Sequence, residues 1–177
     1  PPGYLAACQE ICRRHNVLLI CDEIQTGLGR TGRFLASEHD DVVPDGLILG
    51  KALGGGILPI AAAVARPGLD VAGDYAIGHY THEKNPVTAR AALATLEVIE
   101  AEGLVERAAE LGAHAMARLR DLTASSPIIG DVRGRGLFAG AELVTDRATR
   151  DPAPEAKVKA VVADCMEQGI VIGASNR

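Results

Sequence analysis

The chain has 177 residues, a length typical of about one domain, of which 47% are hydrophobic and 23% are charged. The high apolar content and the formal net charge of only −5 exclude an intrinsically disordered chain. A pI near 5.5, no Lys/Arg stripe and few aromatic residues exclude a basic surface that binds nucleic acid. The apolar runs at 17–21 and 57–65 are too short to span a bilayer, and no signal-peptide pattern is present. We therefore expect a cytoplasmic protein with no membrane partner.

The first part of the chain alternates patterns typical of helices with patterns typical of strands. Apolar residues recur with helical period over residues 4–15, and the unbroken apolar run at 17–21 is typical of a strand buried on both faces. The further predicted elements are a short helix at 34–39, strands at 46–50 and 60–65, and helices at 87–101 and 104–122 that break at Gly103. This alternation predicts an α/β fold with a mainly parallel sheet and flanking helices.

The pattern changes after Pro127. Strands are predicted at 128–132 and 137–144, a helix at 155–168, and the start of another strand at 170–172. We therefore assign residues 1–124 to a large domain and residues 125–177 to the beginning of a small α+β domain. Because the chain opens on Pro1-Pro2-Gly3 and ends as a strand begins, we expect it to be a portion of a longer protein.

Two motifs that suggest bound ligands have simpler interpretations. The four cysteines lie in apolar patterns and form no CxxC pair, which favours core thiols over metal ligands. Residues 27–32 match the dinucleotide-binding pattern GxGxxG after a strand. The acidic Asp22 and Glu23 directly before these glycines would repel a pyrophosphate, so we do not favour a dinucleotide site.

A stronger candidate site combines Asp22 and Lys51. Each residue follows the end of an apolar strand, and ligands bind at that edge of open α/β sheets. A desolvated lysine can act as a Schiff-base nucleophile, and a carboxylate can pair with the protonated ring nitrogen of pyridoxal 5'-phosphate (PLP). On spacing alone, a structural Asp–Lys ion pair at the sheet edge explains the two residues equally well.

Longer segments around these two residues carry a family resemblance. Residues 21–32, CDEIQTGLGRTG, resemble the signature of class III (ω-amino-type) PLP-dependent aminotransferases, and residues 49–56, LGKALGGG, resemble the segment with their cofactor lysine. The similarity continues through Asn85-Pro86, TLEVI at 95–99 and VRGRGL at 132–137. It implies PLP-dependent transferase fold type I and amino transfer between an amine or amino acid and an oxo acid.

The resemblance also implies roles for individual residues. Lys51 would form the Schiff base with PLP and then move the substrate proton, and Asp22 would bind the pyridinium nitrogen. Gln25 would donate a hydrogen bond to the ring hydroxyl, and Ile24 would pack against one face of the ring. Thr81 stands where the family has a threonine that reaches the cofactor phosphate of the neighbouring subunit. This arrangement implies a homodimer with shared active sites.

One segment departs from the family pattern and leaves alternatives open. Residues 80–86, YTHEKNP, place bulky and charged residues where relatives have small ones. The segment is more similar to lyase-type and decarboxylase-type members, so a PLP-dependent lyase or decarboxylase is a second hypothesis. His79, His82 and Glu83 could imitate a metal site, but the spacing and loop location do not favour one. A third hypothesis is a catalytically silent fragment, because the resemblance places further cofactor and substrate contacts outside this chain.

Two arginines near the predicted small domain also invite a functional interpretation. Arg133 and Arg135 could bind a carboxylate, because guanidinium groups bind carboxylates bidentately. In the class III aminotransferases that this chain resembles, the arginine that binds the substrate carboxylate lies further along the chain. We therefore predict a structural role for both arginines.

Overall fold

The computed structural model of the chain describes residues 1–74 and 81–175. The first helix, α1, spans Tyr4–Arg14, as the apolar period predicts. It begins after Gly3, which has a φ of 75°. The carboxylate of Asp40 accepts a hydrogen bond from the Leu5 amide at 3.1 Å, so a residue distant in sequence satisfies one of the free amides at this helix end. The chain leaves the helix through Asn16, which has a left-handed φ of 52°.

A three-stranded sheet follows, with the order β1-β2-β3. Strand β1 spans Ile20–Asp22, β2 spans Gly46–Leu49 and β3 spans Ala62–Ala65. Strands β1 and β2 are parallel, whereas β2 and β3 are antiparallel. The prediction of parallel pairing is therefore correct for β1 and β2 and wrong for β3. The segment between β2 and β3 contains only a one-turn 3₁₀ helix, so no crossover helix carries the chain back to the start of the sheet.

Strand β1 is shorter and less covered than its apolar run predicts. Cys21 is buried, but the flanking Ile20 is 58% exposed and Val17 is 56% exposed. Successive side chains in a strand point to opposite faces, and only the face with Cys21 is packed. The prediction of burial on both faces is wrong for this strand.

The core of this region lies where β2 meets the second long helix. Helix α2 spans Pro86–Ala101, and its Ala92 packs in one cluster with Leu49 of β2 and the buried Leu53. Pro86 occupies the first turn of α2, and the Asn85 side chain accepts a hydrogen bond from the Val87 amide at 2.9 Å. This packing fixes the 3₁₀ helix Lys51–Gly54 against α2.

The remaining elements follow the predicted order. Helix α3 spans Leu104–Ser125, and Gly103, with a φ of 58°, separates it from α2 as predicted. Strands β4 (Ile129–Arg135) and β5 (Phe138–Leu143) pair as a hairpin, and helix α4 spans Glu155–Glu167. Among the described residues, no helix is long and apolar enough to cross a membrane.

The strand predicted at 170–172 is absent from the described residues, and this prediction is wrong. Gly169, with a φ of 80°, ends α4, and its amide donates to the Met166 carbonyl at 2.9 Å. The Ile170 amide donates to the Cys165 carbonyl at 2.8 Å, which completes a Schellman motif. The start of the apolar run is therefore used to end a helix, and no described strand pairs with it.

The chain divides into two compact units. The first comprises residues 1–112 and 135–138, and the second comprises residues 113–134 and 139–177. Within the second unit, the Arg147 guanidinium donates to backbone carbonyls at the end of α3 and at the start of β4, including that of Ile129 at 2.9 Å. The domain boundary between residues 124 and 125 remains a prediction.

The hydrogen-bonded carboxylate of Asp45, at the amino-terminal edge of the sheet, makes the stability of the fold depend on pH. The Asp45 carboxylate accepts hydrogen bonds from the Leu19 amide at 3.0 Å and from Arg66 Nε at 2.7 Å. These bonds, first the one from the Leu19 amide, lower the pKa of Asp45 below its ordinary value of 3.8. A carboxyl whose pKa is lower in the folded state stabilises the fold above its unfolded pKa. That contribution is lost as the pH falls through the folded value.

We therefore expect Asp45→Asn to lower the free energy of unfolding at pH 7, with a penalty that shrinks as the pH falls below that ordinary pKa. Urea unfolding of wild type and variant at pH 7, 4 and 3 measures this difference. A penalty that stays constant or grows on acidification would contradict the assignment.

Candidate active site at the carboxyl edge of the sheet

The parallel pairing of β1 and β2 brings the ends of both strands to one edge. Asp22, the last residue of β1, lies beside Ile48 of β2, and Lys51 follows β2 two residues after its end. This is the edge at which open α/β sheets bind ligands. Asp22 is exposed, and its Oδ1 accepts a hydrogen bond from the Ile24 amide at 3.0 Å.

Lys51 occupies an unusual backbone conformation. It begins the 3₁₀ helix Lys51–Gly54 with a left-handed φ of 46°. A non-glycine residue in this region costs roughly 1–2 kcal/mol, and such strain concentrates at functional sites. The following Leu53 is buried in the core cluster, so packing holds the turn while the Lys51 side chain stays exposed.

Lys51 lines a pocket of about 980 Å³ in the first compact unit. Ile24 and Gln25, the predicted ring-contacting residues, line the same pocket, whereas Asp22 and Thr81 are not among its lining residues.

The pocket is positively charged. Besides Lys51, Arg30 and Arg107 line it with two guanidinium groups, and none of the described residues that line it is acidic. A pocket with three cations and no carboxylate favours an anionic ligand.

The loop that carries Ile24 and Gln25 is organised by Glu23, for which the sequence predicts no role beyond a negative charge. Glu23 is 4% exposed, and both carboxylate oxygens accept hydrogen bonds. The only signals for this in the sequence are an acid at the end of a strand and a hydroxyl three residues later. Its other partners, Ala36 and Ser37, donate backbone amides, which no motif specifies.

The glycines of the loop serve packing rather than a dinucleotide. The loop leads into a 3₁₀ helix of five residues, Ala36–Asp40, and not into an α-helix whose amides could bind a pyrophosphate. Gly32 has a φ of 81°, and a Cβ at this position would lie 2.9 Å from Cα of Ala109 on α3. This loop geometry does not suit a dinucleotide site.

We expect Gly32→Ala to lower the free energy of unfolding by about 2–4 kcal/mol, because a left-handed φ and an overpacked contact both penalise a side chain. Gly3→Ala is the matched control, since Gly3 has a similar left-handed φ of 75° and a Cβ there would meet nothing within 4 Å. Chemical unfolding of both variants measures the difference, and equal penalties would show that the contact with Ala109 is unimportant.

The segment that departs from the family pattern lies before α2. Thr81, His82 and Glu83 are exposed, and Lys84 Nζ lies 3.9 Å from a Glu83 carboxylate oxygen. Tyr80 and His79 lie outside the described residues. Within 1–74 and 81–175, no group of three His, Cys, Asp or Glu side chains is placed to hold a metal ion.

The two arginines at 133 and 135 form ion pairs. Arg133 contacts Asp131 at 2.5 Å and Glu142 at 3.0 Å within the hairpin. Arg135 lies 3.7 Å from Asp40, the residue that accepts from the amino terminus of α1. These contacts agree with the predicted structural role.

The four cysteines are free thiols, of which Cys21 is buried and the other three are partly buried. Burial, with smaller contributions from Glu23 and Cys8, raises the pKa of the Cys21 thiol. Cys21 therefore behaves as the core thiol that the sequence predicts.

Comparison with known proteins identifies the family. A profile described as aminotransferase class-III matches residues 1–177. Taurine–pyruvate aminotransferase of Rhodobacter capsulatus is 43% identical over 185 residues, covering 100% of this chain and 40% of that protein. (R)-1-hydroxy-2-aminoethylphosphonate ammonia-lyase of Vibrio splendidus is 42% identical over 168 residues, covering 95% of this chain and 35% of that protein. The chain belongs to the class III aminotransferase family.

Solved structures agree with this assignment. A Bacillus anthracis aminotransferase superposes with a TM-score of 0.90 at 36% identity, covering 98% of this chain and 40% of that chain. Ornithine aminotransferase of Toxoplasma gondii, described with partial occupancy of PLP at its active site, superposes with a TM-score of 0.87 at 41% identity. It covers 99% of this chain and 39% of that chain. The predicted fold class, PLP-dependent transferase fold type I, is confirmed. The chain spans about 40% of the length of the relatives it matches.

Proposed function

We propose that this chain is part of a PLP-dependent aminotransferase that moves an amino group between an amine or amino acid and an oxo acid. The observation that supports this most directly is the placement of Lys51 in one pocket with Ile24 and Gln25, within a chain of the class III family. A primary amine, an apolar surface and an amide donor are the groups that a substituted pyridine aldehyde requires.

The charge of the pocket also fits PLP. The cofactor carries a phosphate and the oxo-acid substrate a carboxylate, and the pocket offers Arg30, Lys51 and Arg107 with no acidic residue among the described lining residues. Bound PLP supplies an electron sink for bonds at the amine-bearing carbon. The residues present therefore fit the group.

The family resemblance implies the roles of the chain's residues, and their chemistry is consistent with them. Lys51 would hold the cofactor through its Nζ, and once the substrate amine has displaced it, its free amine would move a proton at the reacting carbon. Asp22 would keep the ring nitrogen protonated through its negative charge. Ile24 would pack on the ring, and Gln25 would donate to the ring hydroxyl. These roles extend the family resemblance to the residues at the sheet edge.

We further propose that the protein is a cytoplasmic homodimer in which Thr81 serves the partner's site. Thr81 is exposed and does not line the pocket that contains Lys51. That position suits a residue that contacts phosphate bound to a neighbouring subunit. Size-exclusion chromatography with light scattering on the full-length protein tests the dimer.

A second candidate function is a PLP-dependent lyase. The 42% identical ammonia-lyase and the charged residues His82, Glu83 and Lys84 favour it. A decarboxylase on the same fold is a further variant of this hypothesis. In each of these reactions the substrate is cleaved without an amino acceptor.

One assay separates these functions. The full-length protein with PLP is given taurine, ornithine or 1-hydroxy-2-aminoethylphosphonate, with and without pyruvate. Alanine formed only when pyruvate is present supports the aminotransferase. Ammonia or carbon dioxide released equally without pyruvate supports the lyase or the decarboxylase. Titration of PLP into residues 1–177 and into the full-length protein tests the silent fragment, which predicts binding by the full-length protein alone.

A further inference from the structure

The strongest unexplained feature of the site is the buried carboxylate of Glu23. It lies directly after Asp22 at the end of β1, and its amide continues the sheet by donating to the Ile48 carbonyl at 2.9 Å. Only 4% of its surface is exposed. A buried acid is costly unless its oxygens are hydrogen-bonded, so its partners carry the explanation.

Glu23 joins the two ends of one loop. At the near end, Thr26 Oγ1 donates to Oε2 at 2.9 Å, and the Gly27 amide donates to the Glu23 carbonyl at 2.9 Å. At the far end, the Ala36 amide donates to Oε2 at 2.7 Å and the Ser37 amide donates to Oε1 at 2.8 Å. These two amides open the 3₁₀ helix Ala36–Asp40. One side chain therefore closes a loop of about a dozen residues.

The closed loop forms one wall of the pocket. Ile24 and Gln25 lie between Glu23 and Thr26, and Arg30 lies further along the same loop. A second contact from the 3₁₀ helix supports the closure, because His39 Nε2 lies 3.1 Å from both the carbonyl and the hydroxyl oxygen of Thr31. The orientation of the residues that face a ligand thus depends on contacts made away from the pocket.

The chemistry of the Glu23 partners distinguishes a carboxylate from an amide. All three groups bonded to the Glu23 carboxylate are donors, one hydroxyl and two backbone amides, and both oxygens of Glu23 accept. A glutamine has one accepting oxygen, and its amino group would face at least one N–H or O–H donor. A buried donor without an acceptor costs the full desolvation penalty of that group, so the isosteric amide does not replace the acid.

We propose that Glu23 is a positioning residue of the active site, which sets the loop 24–35 so that Ile24 and Gln25 face the cofactor. It acts through this loop and is not itself a catalytic residue. The inference rests on the proposed function for the identity of the ligand, while the loop closure rests on the hydrogen bonds alone.

The test uses Glu23→Gln in the full-length protein. We expect its dissociation constant for PLP to rise roughly 10- to 100-fold, the size of loss seen when groups that orient metal ligands are removed. In the protein without PLP, amide hydrogen exchange should accelerate at residues 24–37 and stay unchanged at 46–49. Thr26→Val removes one of the three donors, and we expect a smaller rise in the same direction.

Two controls separate positioning from general stability. Ser37→Ala removes a buried hydroxyl that has no hydrogen-bond partner among the described residues, and it leaves the Ser37 amide in place. It should leave PLP affinity and loop exchange unchanged. Asp45→Asn weakens the hydrogen bonds of Asp45 at the other edge of the sheet, so it should lower stability and leave PLP affinity unchanged.

The outcomes are distinguishable. Wild-type protein that does not bind PLP contradicts the proposed function, and the exchange measurement then still decides whether Glu23 closes the loop. Wild-type binding with equal affinity in Glu23→Gln overturns the positioning role. Loss of affinity in Glu23→Gln and Asp45→Asn in proportion to their loss of stability also overturns it. If Glu23→Gln does not fold, unchanged PLP affinity and exchange in Thr26→Val contradict the proposal.

Discussion

Lys51→Ala in the full-length protein is expected to abolish amino transfer, with a loss of at least about 10³-fold in kcat. The variant lacks the only amine that this chain places in the pocket with Ile24 and Gln25 among the described residues. The visible absorbance of lysine-bound PLP should vanish with it. Steady-state assays and an absorbance titration with PLP measure both effects.

Lys159→Ala provides the matched control for this prediction. Lys159 is an exposed lysine on α4 whose Nζ lies 2.7 Å from Glu155, one turn away. Surface pairs of this kind contribute little to stability, so activity and absorbance should match those of wild type. Substantial amino transfer by Lys51→Ala, with the control also active, would show that another residue performs the chemistry.

Asp22→Ala is expected to impair the reaction more than it impairs cofactor capture. Removing a side chain whose charge stabilises the charge that develops in the transition state costs about 10²–10³-fold in kcat. Lys51, Ile24 and Gln25 would still hold the cofactor in this variant, so the dissociation constant for PLP should change far less. Single-turnover kinetics with saturating PLP, together with a PLP titration, separate the two quantities.

The control for Asp22→Ala is Asp164→Ala on α4, where the acid is exposed and distant in sequence from the sheet. It should leave kcat and PLP affinity unchanged. Near-normal turnover in Asp22→Ala would refute the proposed pairing with the ring nitrogen. It would instead favour the structural role suggested by the hydrogen bond from the Ile24 amide to Asp22.

The long elements of the fold could be predicted because their signals are local. Helices α1 and α2 follow from apolar periods, and the break between α2 and α3 follows from Gly103. Strand β2 follows from an apolar run bounded by glycines. Each signal lies within about one element of sequence, so it needs no knowledge of the partners in the fold.

The candidate site was predictable in part for the same reason. Two strand ends, one with Asp22 and one with Lys51, place both residues at one edge once the strands are parallel, and β1 and β2 are parallel. Residue-level roles came from the motifs at 21–32 and 49–56 and remain predictions. The site's cationic character could not be foreseen, because Arg107 comes from α3, far along the chain.

Other features depend on contacts between residues distant in sequence. The antiparallel direction of β3 follows from the chain reversal after Lys51 and not from the composition of β3, which any buried strand could share. The open face of β1 depends on which elements pack over it, and the fate of Ile170 depends on the end of α4.

By itself, the sequence determined the family, the order of the helices and strands as far as α4, and the two strand ends that carry Asp22 and Lys51. The tertiary structure alone decided the direction of β3, the cations that share the pocket with Lys51, and the role of Glu23. The physical reason is the range of the interactions. Periodicity and capping act over a few residues. The Glu23 carboxylate, in contrast, accepts hydrogen bonds from the amides of Ala36 and Ser37, which come close to it only in the folded chain.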